Sequence, residues 1–505
     1  MGSTYFLVVF GIILAKGIGF FREIFFSGAF GTGVEADIYF QVFNLVNLVF
    51  AGIGVALSTL VIKNMNKSEN KGHEKSYVAS FLRKSFLSFT AVAALFAIFA
   101  KPIVTQLLLP GLAKEFIPLA VNLMYIMCPS IVFVVIAYII SGVLQNERVF
   151  FVTSIMSLPF NAVIIGSLLF ENVSLTTVGI ITTVGWFLHI AILLPSFLKK
   201  GYSFFTSQNE TQIKKDKNPE ILWIFLSNMM FQLLFYTDRA FVSGTEGMAS
   251  TLSYASNLFV IIASIFVVAM STVFFPAISK NYEEGQIDYV NELLRYIITV
   301  MVTIFLPCIL VFGLFGKDII RLLYERGSFT PEATSAVSFI LFIYSLGVLG
   351  YICQELFNKI LYLAGKYKHC VLGTIGAVIL NGISNALVNA FIPDVPFMNT
   401  GVTLRTFLIS ASSSFFLFIY AILISVVIKQ VVGPYWKKDL LKDIAKIFFC
   451  GLLAFMTYFA FNLISPSFTH GKITFIIPLM CCAVVYCAGI ILTGMLKRLI
   501  KKKGS

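Results

Sequence analysis

Ile131-Val-Phe-Val-Val-Ile-Ala-Tyr-Ile-Ile-Ser-Gly-Val143 runs without a charge and without the alternation that would leave one face wet. Backbone in such a run must satisfy its own hydrogen bonds, so it reads as helix in hydrocarbon. The rest of the chain extends the pattern. Of its 505 residues 58% are hydrophobic and 12% charged, and the mean hydropathy is +0.91. A soluble chain carries about 25% charged residues. A soluble enzyme is therefore excluded, and apolar runs near the ~20 residues needed to cross ~30 Å of hydrocarbon mark a polytopic membrane protein. There are 53 Phe against 3 Trp, and most of the 15 Pro lie in or beside apolar runs.

Hydropathy predicts fourteen transmembrane helices, beginning near Tyr5, Asp37, Phe86, Phe116, Phe150, Leu175, Pro219, Ala249, Val290, Thr334, Cys370, Thr403, Ile444 and Thr474. The net charge of +13 is unevenly placed. Six lysines and arginines lie in Lys63–Lys84, and five each in Lys199–Lys217, Lys429–Lys446 and Lys497–Lys503. All of these connections fall on one side if both termini do, which predicts cytoplasmic termini rather than a nucleic-acid partner. The eight cysteines have no metal-type spacing and read as small apolar side chains.

A faint duplication sets the expected architecture. Asn44-Leu-Val-Asn-Leu-Val-Phe-Ala-Gly-Ile-Gly-Val-Ala-Leu-Ser-Thr59 aligns without gaps with Asn257-Leu-Phe-Val-Ile-Ile-Ala-Ser-Ile-Phe-Val-Val-Ala-Met-Ser-Thr272. Arg22-Glu-Ile-Phe-Phe-Ser-Gly28 is echoed by Asp238-Arg-Ala-Phe-Val-Ser-Gly244. An even number of spans separates the copies, so they run in the same direction, as parallel repeats do. The expectation is an all-α fold of two pseudo-symmetric six-helix lobes, residues 1–200 and 219–430, around a central cavity. Helices 13 and 14, residues 437–500, form a terminal pair.

No phosphate-binding G-x-x-x-x-G-K-[ST] loop, nucleophile motif or paired catalytic acids occur, so neither enzymatic chemistry nor direct ATP hydrolysis is expected. The informative residues are the charges inside spans, which face a cavity or a partner because lipid rejects them. Span 1 holds Lys16, Arg22 and Glu23, with Gly17 and Gly19 positioned to bend the helix between the two cations. The alternative is that Arg22 pairs with Glu23 or the cations snorkel to the surface. Span 7 carries Asp238-Arg239, and span 10 carries Glu355 and Lys359 one turn apart, an order that favours their pairing. His189 stands alone in span 6 and reads as a packed residue. Buried bases suit an anionic cargo, whereas an exporter of organic cations needs buried acids. An arginine adds a planar fork that grips phosphate with two hydrogen bonds.

Lys16-Gly-Ile-Gly-Phe-Phe-Arg22-Glu, followed by Phe30-Gly-Thr-Gly-Val-Glu-Ala-Asp37-Ile-Tyr-Phe40, resembles the first helix and turn of MurJ-type lipid II flippases. These belong to the multidrug/oligosaccharidyl-lipid/polysaccharide exporter superfamily. Leu323-Tyr-Glu-Arg326-Gly-Ser-Phe329-Thr330 and Tyr362-Leu-Ala-Gly-Lys366 also look like family segments. The resemblance implies a bacterial inner-membrane flippase that carries an undecaprenyl-pyrophosphate-linked glycan outwards by alternating access. The glycan is lipid II or a related wall or surface polysaccharide intermediate. It implies substrate groups at Lys16, Arg22 and Asp37. Two family arginine positions fall on Val49 or a neighbour and on Asn257, and Arg239 offers a cation in their place. A groove along the last two helices is expected to hold the prenyl tail. Some family members couple to sodium, and Asp238, Asn381, Asn385 and Thr406 supply a carboxylate and neutral oxygens for such an ion. The same polar groups also serve as ordinary interhelical hydrogen bonds. Besides sodium no cofactor is expected. The expected partners are the lipid-linked oligosaccharide and membrane lipids, with a monomeric chain. The alternative function is a cation-coupled multidrug antiporter of the same superfamily.

Overall fold

The computed structural model describes residues 2–65, 73–205, 223, 226, 233–269, 274–465 and 473–495. Every element in these residues is helical, apart from one isolated extended bridge between Pro396 and Thr403. Eight of the described helices are long and apolar enough to cross a membrane, or nine when Pro331–Leu346 and Val348–Leu363, bent by 43°, count as one. The shorter apolar helices Ala51–Met65, Met248–Ser264 and Ile476–Leu492 come in addition. The chain is thus an all-α, multi-pass membrane protein. The start of the span expected at Pro219, parts of the basic loops at 63–84 and 199–217, and the basic stretch 497–503 lie outside the described residues.

The chain divides into two compact units, Met1–Ser250 with Arg326–Phe329, and Thr251–Glu325 with Thr330–Ser505. The first contains α1 (Gly2–Phe30), α2 (Val34–Asn44), α3 (Ala51–Met65), α4 (Glu74–Ile98), α5 (Ile117–Met127), α6 (Ser130–Asn146), α7 (Phe150–Ser154), α8 (Leu158–Leu168) and α9 (Leu175–Lys199). Helical residues 233–241 follow. The apolar run that opened the sequence reading lies in α6, which is buried along most of its length and packs against α3, α4 and α9. Close approach there depends on small residues. A Cβ on Gly54 would lie 2.8 Å from the Tyr138 Cβ, and one on Gly142 would strike the Ser58 hydroxyl. Helices in lipid gain by such contact because packing, not water exclusion, drives their association.

π-helical turns fall at Leu45–Phe50 and Ile103–Leu108, and none falls in the first span. α1 is helical without interruption through Gly17 and Gly19, whereas α2 passes into α3 through a π-helical turn at Leu45–Phe50. A π turn widens the helix by one residue and resets the direction of the side chains that follow.

Where α1 ends, a web of backbone bonds ties distant parts of the first unit together. The Ser328 amide donates to the Gly28 carbonyl at 2.8 Å, and the Ser328 hydroxyl to the Ala29 carbonyl at 3.0 Å. Gly31 and Gly327 both have positive φ, and a Cβ on either would collide with a carbonyl of the other strand of this contact. The Gly111 amide donates to the Ser243 hydroxyl at 3.0 Å. Asp37, only 3% exposed, accepts the Gly247 amide at 2.8 Å and the Ser250 amide at 2.6 Å. These two amides open the helix α10 (Met248–Ala269), so Asp37 caps from a distance the orphan donors of a helix N-terminus. Residues 233–250, which hydropathy assigns to the second lobe, are therefore bonded into the first unit.

The second unit continues α10 and adds α11 (Phe275–Glu283), α12 (Ile287–Tyr324), α13 (Pro331–Leu346), α14 (Val348–Leu363), α15 (Tyr367–Phe391), α16 (Leu404–Val432), α17 (Lys438–Ile464) and α18 (Ile476–Leu492). α12 spans 38 residues, roughly 57 Å at 1.5 Å per residue, and so exceeds the hydrocarbon thickness. α17 and α18 pack on α12 through Ile447, Cys450 and Tyr486, whose hydroxyl donates to the Thr303 carbonyl at 2.8 Å. α14 lies against α16 at Gly350, where a Cβ would sit 2.8 Å from the Leu417 carbonyl carbon.

Backbone cannot step aside for a methyl group as a side-chain tip can. Gly350→Ala should lower stability by about 1–3 kcal/mol, the usual cost of overpacking. Gly376→Ala, at a helical site with no atom within 4 Å, should leave it unchanged or raise it slightly. Thermal unfolding of the detergent-solubilised variants reads both, and equal midpoints would refute the close contact. Asp37→Ala should cost about 1–3 kcal/mol through the two orphaned amides. It should also speed hydrogen exchange at 245–252 with little change in α8, and unchanged exchange there would refute the cap.

Candidate functional site

Arg22 sits two-thirds of the way along α1 with its side chain 14% exposed. Its guanidinium carbon lies 5.1 Å from the Phe43 ring centroid and 5.5 Å from that of Phe160, from α2 and α8. It pairs with the neighbouring Glu23, Nη2 to Oε1 at 3.6 Å. Both sequence alternatives are therefore partly realised: the arginine is turned inward among aromatic rings, and it also touches Glu23. A cation over two ring faces is held by their quadrupoles most strongly where water is excluded.

The Phe160 ring beside this cation belongs to a larger aromatic group. Phe160 packs on Trp186 and His189 at 4.8 and 5.3 Å between centroids, and those two rings stack at 4.6 Å. The Tyr39 hydroxyl bonds that of Thr182 at 3.1 Å. Asn44 Nδ2, Asn161 Oδ1 and Trp186 Nε1 are buried and have no hydrogen-bond partner among the described residues. His189 is packed in this aromatic group, as read from sequence.

Lys16 lies elsewhere on α1. It lines an open cavity of about 450 Å³ with Gln145, Phe150, Thr153, Ser154 and Ser157. Arg22 is not among those residues. The two cations, six positions apart, are separated by roughly 9 Å of helix rise. Between them Gly17 borders open space and Gly19 faces the Asn161 amide, at 3.8 Å from where a Cβ would be. The result is one helix with a lysine-lined polar cavity near its middle and an aromatic-held arginine further along.

The other expected substrate groups are placed differently. Asp37 has both carboxylate oxygens on backbone amides. Asp238 and Arg239 are buried in helical residues 233–241 of the first unit. The repeat between Arg22–Gly28 and Asp238–Gly244 carries a matching local bond. The Ser27 hydroxyl donates to the Ile24 carbonyl at 2.8 Å, and that of Ser243 to Ala240 at 2.7 Å. Asn257 is half-buried on α10, in the second unit.

Of the residues considered for sodium, Asp238 belongs to the first unit and the others to the second. Asn381 donates to the Ser412 and Ser413 hydroxyls at 3.0 Å each, Ser412 donates to Asn385 at 2.7 Å, and Asn385 donates to Asn381 at 3.2 Å. This network joins α15 to α16. Thr406 pairs with Thr403 at 3.0 Å at the start of α16, roughly 9 Å of helix from Ser412. Among the described residues no three His, Cys, Asp or Glu side chains cluster as for a metal.

Along α17 and α18 an apolar groove of about 420 Å³ is lined by Thr457, Phe461, Ile464 and Ile477. The sequence reading named the cations and the terminal helices, but not Phe43, Phe160 or Trp186. Among so many aromatics no spacing distinguishes a ring that meets Arg22 from one that meets lipid.

Residues 26–479 match the family model described as lipid II flippase MurJ. A probable lipid II flippase MurJ of Rickettsia prowazekii (strain Madrid E) is 24% identical over 395 residues, 76% of this chain and 77% of the relative. One of Helicobacter pylori (strain ATCC 700392 / 26695) is 26% identical over 367 residues, 66% of this chain and 77% of the relative. Among solved structures, lipid II flippase MurJ in an inward closed conformation has a TM-score of 0.73 at 22% identity, covering 97% of this chain and 99% of that one. An inward-facing multidrug resistance MATE transporter of the MOP superfamily scores 0.62 at 13% identity, covering 83% and 95%. The match over most of its length shows that this chain belongs to the MurJ lipid II flippase family.

Proposed function

We propose that this chain carries lipid II, or a closely related undecaprenyl-pyrophosphate-linked glycan, from the inner to the outer leaflet of the bacterial cytoplasmic membrane by alternating access. Fourteen crossings, cytoplasmic termini and a monomeric chain complete this reading. The observation that carries it is the guanidinium of Arg22, held within 5.1 and 5.5 Å of the Phe43 and Phe160 rings inside a membrane helix. A cation in that setting has lost most of its hydration. An anionic group that supplies hydrogen-bond acceptors restores what water gave, and pyrophosphate matches the fork bidentately.

Lys16, in its polar cavity, adds a second positive charge on the same helix, and its point charge is indifferent to the orientation of the phosphates. Glu23 offsets Arg22 while the site is empty and gives way to a stronger anion. Arg239 is a third candidate cation. The prenyl tail fits the apolar groove of α17 and α18, where Ile464 is 81% exposed and needs an apolar neighbour. A multidrug antiporter shares the fold, but its organic-cation cargo would meet Lys16 and Arg22 with the wrong sign.

Transport in proteoliposomes tests the assignment. Arg22→Ala should reduce lipid II flipping at least tenfold, the expected effect of losing a charge-assisted bidentate contact. Its folding midpoint should move little. Arg22→Lys should recover only part, because an ammonium cannot make two parallel bonds. Normal flipping by Arg22→Ala would remove Arg22 from the site, and export of an organic cation with no flipping of lipid II would favour the antiporter.

A further inference from the structure

A second polar cavity lies in the second unit, remote in sequence from α1. It holds about 220 Å³ between the last turns of α12, the first turns of α13 and the connection from α15 to α16. Its polar lining is Lys317, Ser335, Ser338, Asn399 and Thr400, over a floor that includes Phe312 and Phe342.

The connection is built to stay in place. Phe397 donates to the Val402 carbonyl at 2.9 Å and Leu404 to that of Val395 at 2.8 Å. Phe397 stacks on Phe407 at 4.6 Å, with the rings 6° from parallel. Gly401 has φ of +77° and lies so close to α13 that a Cβ would be 2.9 Å from the Glu332 carbonyl. Asn399 and Thr400 are thereby held at the rim.

The hydrogen-bonding character of the lining is selective. Thr400 donates its hydroxyl proton to Phe397, Ser335 to Pro331 and Ser338 to Ser335. These three hydroxyls are left with lone pairs to offer, not protons. Donors to a ligand come from the Lys317 ammonium and the Asn399 amide. Among the described residues no Asp or Glu lines the cavity, and Asp318, next in sequence to Lys317, is bonded to Arg321 at 3.0 Å. A fitting ligand therefore combines an anion with hydroxyl donors and carries no cation that needs a carboxylate. The neighbouring surface is apolar: Met398 and Phe391 are each 78% exposed, as suits residues against acyl chains at the edge of a bilayer.

We propose that this cavity binds the headgroup of an anionic glycerophospholipid of the phosphatidylglycerol type. The phosphate contacts Lys317 and Asn399. The glycerol hydroxyls donate to the oxygens of Ser335, Ser338 and Thr400, and the acyl chains leave over Phe312 and Phe342. The site is independent of the flipping reaction and uses none of its residues.

Native mass spectrometry of the full detergent-purified chain, titrated with phosphatidylglycerol, phosphatidylethanolamine or soluble glycerol 1-phosphate, tests it. The parent should retain phosphatidylglycerol about tenfold more tightly than phosphatidylethanolamine, and Lys317→Ala should erase that preference, as expected for one charge-assisted contact. Asn399→Leu should weaken retention less, and Arg22→Ala should not change it, which separates this site from the transport site. Lys317 is exposed, and the thermal midpoint of each variant checks that it folds as the parent does. Equal retention of the two lipids, or an unchanged preference in Lys317→Ala, would overturn the proposal. Glycerol 1-phosphate binding as tightly as the lipid would also overturn it, in favour of a free-anion site.

Discussion

A buried carboxylate that accepts two backbone amides organises the first unit. Asp37 lies in the opening turn of α2, and its partners Gly247 and Ser250 are more than two hundred residues further on. A helix N-terminus carries unpaired amides and a partial positive charge, and in a membrane protein neither can be left to water. Asp37 answers both. By doing so it decides that the segment before α10 folds with α1 and α2. The neighbouring contacts, the Ser328 amide on the Gly28 carbonyl and the Gly111 amide on the Ser243 hydroxyl, join the same end of the unit where glycine lets the chains approach closely.

Against that fixed end, α1 presents its cations differently. Arg22 is wedged among aromatic rings, and Lys16 opens into a polar cavity. Burying an arginine is costly in hydrocarbon, and two ring faces with an adjacent carboxylate recover only part of its hydration. In the proposed function an anionic group of the substrate makes up that shortfall.

The polar network of the second unit is satisfied instead. Asn381, Asn385, Ser412 and Ser413 exchange hydrogen bonds among themselves, so α15 and α16 are joined by groups that would otherwise be expensive in lipid. The serines that Asn381 and Asn385 meet lie on the opposing helix, beyond any spacing rule within α15.

Composition determined the solvent of this protein. Uncharged runs such as Ile131–Val143 admit no other reading than helix in hydrocarbon, and that reading needs no partner residue. The motif from Lys16 to Phe40 determined the family, and span 1 alone located Lys16 and Arg22. What depended on contacts between remote segments was decided only by the tertiary structure. α1 stays helical through Gly17 and Gly19, while a π-helical turn falls at Leu45–Phe50, a stretch without glycine that no local signal marks. The Arg326–Phe329 motif was legible as a motif, but its attachment to the end of α1 rests on a bond to Gly28 across some three hundred residues. The rings around Arg22 were chosen from 53 phenylalanines by packing alone. Hydropathy is a property of each residue and its immediate neighbours, and can be read along the chain. A cap, a cation-π contact or a close helix crossing is a property of pairs, and the pairs exist only once the chain is folded.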